Sequence, residues 1–260
     1  MSSTVRQEET FGSDHGLIHE AVVTGRKVGA GKEFWSALAH DEAAFQRAIT
    51  AVSSPAPSTG ATTTVAAAAQ IMGAGNFHGP EALTKLGVTM SKTASKKAFG
   101  KVPFSAEVLE ACRDTHVLVA CAGISLMEVW GFQTNLFYAK SDPWYKSQQF
   151  ATTKVKAGWY LVRKTPVPDS TSKTWEEQLS LLTEVDEVPR ASVLAQAILI
   201  HYLETDERLF PGIYVRVSDV DSGGRRVVLG EFGQDGLVVN DLWVTDRISS
   251  VGVSASRKLS

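Results

Sequence analysis

Hydrophobic spacing divides the chain at His116. Before that point apolar residues recur every three or four positions, as on one helix face; after it they alternate or run together, as strands do. In residues 14–24, Leu17, Ile18, Ala21 and Val22 keep helical spacing and Gly25 supplies a stop. From Lys32 to Val52, Phe34, Leu38, Phe45 and Ile49 mark an apolar face opposite Glu33, Asp41, Glu42 and Arg47, which predicts a longer helix. The stretch 53–64, SSPAPSTGATTT, has too little apolar surface to order itself and reads as a linker or long loop. Short helices are expected over the Ala-rich run after Thr64, from Pro80 to Gly87, over 91–99, and after Ser105, whose hydroxyl suits an N-cap.

From His116 the run HVLVACAGISL is continuously apolar and Val-rich, the signature of a strand buried on both faces. GWYLVRK alternates Trp159, Leu161 and Arg163 against Tyr160, Val162 and Lys164, which predicts a second strand. Thr174 and Glu177 have capping-box spacing at the head of TWEEQLSLLTEV. Pro189 opens RASVLAQAILIHYLE, a helix apolar on nearly every side and so predicted to lie in the middle of the fold. IYVRVS, RRVVLGEF and LVVNDLWV alternate between DSGG and GQDG turns, predicting a three-stranded antiparallel meander that SSVGVSA can extend to four. The class expected is α+β: a helical N-terminal part and a mixed, largely antiparallel sheet with a C-terminal β-meander packed on helices. The domains expected are a helical segment over 1–52, the linker at 53–64, and a main α+β domain over 65–260.

Composition excludes more than it selects. With 260 residues, 43% hydrophobic, 21% charged and a net charge of −2, the chain folds without staples and has no bulk attraction for nucleic acid or anionic membrane. Cys112 and Cys121 lack zinc-site spacing and read as buried reduced thiols. The polar, acidic N-terminus has no secretory pattern and no window reaches a membrane span, so the expected location is cytoplasmic.

Candidate chemistry is sparse. GRKVGAGKEF, residues 25–34, has Arg26 and Glu33 where a phosphate loop needs Gly and Ser or Thr, so it reads as a glycine-rich turn. His15 and His19 stand one helical turn apart, but without a third ligand no metal is predicted. Asp219 and Asp221 alternate as in a calcium loop that otherwise lacks its ligands. Lys85, Lys92, Lys96, Lys97 and Lys101 form a mild basic run without interleaved aromatics. His201 precedes Glu204 by one helical turn, so the carboxylate can orient the ring, and Arg163 or Arg216 could then anchor an anionic substrate. Nine of the 22 aromatic residues fall between Trp130 and Tyr160. Pro143 breaks that segment into a loop bearing Trp144 and Tyr145, which with Tyr138 make a candidate ligand or partner surface.

The strings GWYLVRKTPVPDSTSKTWEEQ and ERLFPGIYVRVSDVDSGGRRVVLGEF resemble an uncharacterised family of bacterial hypothetical proteins over about residues 70–260. The resemblance implies a bacterial, cytoplasmic origin and carries no activity. The functional expectation is a non-enzymatic binding or assembly protein that meets its own copies or a protein partner, without a cofactor. The alternative is a hydrolase-type enzyme built on His201 and Glu204; nucleic-acid binding through the lysines is weaker.

Overall fold

The computed structural model describes residues 32–42 and 62–259. They belong to two units, 1–54 and 55–260. In the first, the helical spacing around Trp35 forms α1 (Lys32–His40). The helix expected over 14–24, the latter part of the 32–52 helix and most of the 53–64 linker lie outside the described residues.

The second unit begins with α2 (Val65–Met72), α3 (Leu83–Leu86), α4 (Lys92–Phe99) and α5 (Ala106–Cys112). Thr64, Ser91 and Ser105 cap α2, α4 and α5, each hydroxyl accepting a backbone N–H from three residues on. α2, α4 and α5 cover one face of a sheet built from β1 (Phe77–His78), β2 (His116–Cys121), β3 (Gly158–Arg163), β4 (Asp186–Glu187) and β9 (Ser256–Arg257), in the order β1-β2-β3-β9-β4, whereas α3 packs against the long helix over 191–205. β1 and β2 are parallel and the other pairs antiparallel. The register sets His116 opposite Arg163 and Ala120 opposite Trp159, so Trp159, Leu161 and Arg163 share one face. On it, Trp159 packs against Phe77 and Phe99 with centroids at 5.3 and 5.9 Å, and its indole N–H donates to the Phe99 carbonyl at 3.2 Å. The other face carries Val117, Val119 and Cys121 and meets α9 (Ala191–Thr205).

A second sheet takes β5 (Tyr214–Val220), β6 (Arg226–Gly233) and β7 (Gly236–Leu242) as an antiparallel meander, with β8 (Val251–Val253) parallel to β5, in the order β7-β6-β5-β8. The chain then crosses to the first sheet as β9. The fold is therefore α+β, and α9 lies between its two sheets, with every residue from Ala191 to His201 buried. That placement is why this helix has no polar face. Its polar groups are spent on the backbone: Gln196 exchanges hydrogen bonds with the N–H and C=O of Ala122 at 2.8 and 3.2 Å. Asp219, on β5, caps its N-terminus by accepting from the Ala191 N–H at 2.6 Å and from Arg190 at 2.7 Å.

Three local elements differ from the sequence reading. The apolar run from His116 is strand only to Cys121; Ser125 and Glu128 then close a reciprocal capping box that starts α6 (Leu126–Phe132). Helix α8 (Trp175–Leu179) has the predicted Thr174–Glu177 capping box but stops early, because Thr183 and Asp186 form a turn leading into β4. Between α2 and α3, Phe77 and His78 pair with Leu118 and Val119 as an added strand. The aromatic segment also contains a short helix, α7 (Gln149–Thr152). No described helix is long and apolar enough to cross a membrane.

Candidate functional site

β7 is the outer strand of the second sheet, and an outer strand presents unpaired backbone groups. Part of the aromatic segment is strapped along it. Phe137 bridges Leu237, the Tyr138 N–H donates to the Leu237 carbonyl at 3.0 Å, and the Trp144 indole N–H donates to the Val239 carbonyl at 2.9 Å. Lys140 ties the strap down at the Asp235 carbonyl, 3.1 Å away. Gly236 makes the close approach feasible: at φ 109° it takes a left-handed turn, and a Cβ there would stand 2.6 Å from the Phe137 backbone.

The strap divides the aromatic cluster. Phe137, Tyr145 and Phe150 point inward and are buried, whereas Tyr138 is 62% and Trp144 41% exposed. The ring of Trp144 stands edge-on to Tyr145 at 5.7 Å, so hydrogen bond and ring contact together fix its orientation. Just beyond β7, Trp243 is 55% exposed. Its backbone N–H donates to the Asp246 carboxylate at 2.9 Å, and Arg225 stands 5.8 Å from its ring while pairing with Asp241 at 3.0 Å. Of the three surface candidates named from sequence, Tyr138 and Trp144 reach solvent; Tyr145 is 1% exposed and its buried hydroxyl has no hydrogen-bond partner. Trp243 was not singled out from sequence, since nothing local distinguishes it from a core residue of the alternating strand.

The histidine candidate sits elsewhere. His201 Nδ1 lies 2.9 Å from Nε2 of His78, and its own Nε2 lies 3.4 Å from Glu207, in the turn after α9. An ionised Glu207 can only accept, so His201 carries its proton on Nε2, and His78 must donate from its Nε2. Burial, then His201, pushes His78 down to about 4; burial also lowers His201, against the pull of Glu207. Glu204 faces away and pairs with Lys85 at 3.3 Å. Helical spacing made Glu204 the neighbour of His201, but the packed side of α9 takes one and its outer side the other.

The arginines do not converge on His201. Arg216, on the face of β5 opposite α9, is fully buried and donates to the carbonyls of Lys173 and Asp246 and to Gln178 at 3.0, 2.8 and 2.9 Å, pinning the loops that cover that face. Arg163 projects from the face of the first sheet opposite α9, among Cys112, His116, Asp186 and Arg257. There Arg257 pairs with Asp186 at 3.0 Å and donates to the Cys112 sulfur at 3.4 Å. Burial, reinforced by Arg257 and Arg163, lowers His116 to about 3, and burial raises the Cys112 thiol.

The remaining motifs have structural roles or stand apart. Asp221 accepts from the N–H groups of Gly223 and Arg225 at 2.9 and 2.7 Å and so shapes the hairpin tip, as Asp219 caps α9. Lys92, Lys96 and Lys97 are exposed on α4. His15, His19 and most of the 25–34 glycine-rich turn lie outside the described residues. Among the described residues no group of three or more His, Cys, Asp or Glu side chains is arranged to hold a metal ion. Compared with known proteins, the chain matches no family model, no curated protein and no solved structure.

Proposed function

We propose that the protein is a non-catalytic binding protein that works by self-association, two copies meeting across the aromatic edge of the second sheet. One observation carries the reading: Tyr138, Trp144 and Trp243 are large, solvent-facing and mounted along the β7 edge, with the Trp144 indole held by a hydrogen bond and the Trp243 ring beside Arg225. At ~200 Å² per aromatic side chain, their exposed fractions leave roughly 300 Å² of ring surface in water, the scale of patches that mark interaction sites. Tyr and Trp dominate binding energy because a rigid ring buries much area for little lost entropy. The rim favours a second copy as occupant. Lys140, Lys146 and Arg225 are balanced by Asp142, Asp235 and Asp241, with Lys146 paired to Asp142 and Arg225 to Asp241, so a two-fold contact sets no surplus of one sign against itself.

Sedimentation equilibrium of the wild type and of Tyr138→Ser and Trp243→Ser tests the reading. Truncating a ring at the centre of an interface costs ~2–4 kcal/mol, so each variant should weaken dimerisation by about 30- to 1000-fold. Unchanged dimer affinity in both variants would remove the aromatic edge from the interface.

A further inference from the structure

The strand-end cluster around Arg163 has a charge arrangement that the fold itself leaves unsatisfied. Asp186 is the one carboxylate that acts on Arg163, and Arg257 already holds it at 3.0 Å. The Arg163 side chain makes no hydrogen bond or ion pair with any described residue, and its Nε is buried without a partner. His116, packed beside it, is only 3% exposed, and both Arg163 and Arg257 disfavour its charged form, so it leaves the local charge unopposed. Lys164 adds to the positive field, although its amine is engaged by Asn76 at 3.1 Å. A guanidinium with a buried N–H that no described residue accepts is an unfavourable arrangement, and most buried polar groups avoid it. Arginine is also the side chain whose planar fork matches an oxyanion.

We propose that Arg163 and Arg257, at the end of β3 and on the neighbouring β9, form a binding site for a phosphate-type oxyanion, gripped by the free fork of Arg163. A tetrahedral anion has oxygens enough to take two N–H groups of Arg163 and still face Arg257, whereas a planar carboxylate is used up by one fork. The site lies on the first sheet and does not depend on the aromatic edge of the second.

The test is thermal unfolding of the full chain in inorganic phosphate and in a simple phosphate monoester, each against chloride at matched ionic strength, for the wild type, Arg163→Gln and Arg163→Lys. A ligand that binds only the native state raises its Tm. The wild type should shift upward with phosphate and Arg163→Gln should not. Arg163→Lys, which keeps the charge but loses the fork, should bind about tenfold more weakly than the wild type. Because the Arg163 side chain holds no described residue, Arg163→Gln without phosphate should melt at or above the wild-type temperature. A shift with the monoester alone would identify an esterified phosphate as the ligand, and a shift with both would identify the free anion. No phosphate shift in the wild type, an equal shift in Arg163→Gln, or a large loss of Tm in Arg163→Gln without phosphate would each overturn the proposal.

Discussion

Lowering the pH from 7 to 5 should destabilise this protein sharply, through histidines that the fold holds neutral. A histidine in the unfolded chain has a pKa near 6.5, whereas in the fold His78 lies at about 4 and His116 at about 3. Both folded values are depressed, so on acidification the unfolded chain takes up protons first. Stability is full above pH ~6.5 and falls as the pH drops towards the folded values. In that window each histidine removes ~1.4 kcal/mol per pH unit, and the two together about 2.7. Between pH 7 and 5 the loss reaches roughly 4 kcal/mol, a large part of the ~5–15 kcal/mol that holds a domain together. Glu128 and Asp221 have lowered values and titrate below this window; His201, lowered as well, adds to the loss, and Glu187 and Asp241, raised by burial, offset part of it. Urea unfolding followed by tryptophan fluorescence at pH 7, 6, 5.5 and 5 reads the slope, and His116→Gln should reduce it by about a third to a half. A stability flat across that range, or a slope unchanged in the variant, would refute the assignment of neutral buried imidazoles.

Other expectations concern packing and caps. Trp159→Ala empties the contact among Phe77, Phe99 and the first sheet and should cost ~3–5 kcal/mol by chemical denaturation. Asp219→Ala removes the cap of α9 and the partner of Arg190, which should lower stability by ~1–3 kcal/mol with little change in the far-ultraviolet circular dichroism of the folded state. Gln196→Leu keeps the volume but strands the N–H of Ala122, whose C=O still accepts from the Ile124 N–H, so it should also cost ~1–3 kcal/mol, despite being more apolar.

The α+β class and much of the architecture were legible because the strongest signals were burial signals. The Val-rich run from His116 is a strand buried on both faces, and the all-round apolar helix lies between two sheets. Where apolar residues ran on without a break, hydrophobicity hid a boundary. The Ser125–Glu128 capping box was present in the sequence, but the continuous run masked the change from β2 to α6. Partners were less legible than elements, because they depend on which face the fold covers. Glu204 is one turn from His201 along α9, yet Glu207 reaches the ring from the turn, and His78 reaches it from β1. Likewise Pro143 signals the loop that carries Trp144 and Tyr145, but only the β7 edge decides that Trp144 lies over it, partly exposed, while Tyr145 enters the core.

Self-association through the aromatic edge is tested most directly by the mass of the full chain in solution, measured by light scattering on a size-exclusion column from micromolar to submillimolar loading. The chain is 28.0 kDa. The mass should rise with concentration towards twice that value, and Trp243→Ser should hold it at the single-chain mass. A wild-type mass that stays at 28.0 kDa across the range would contradict the account.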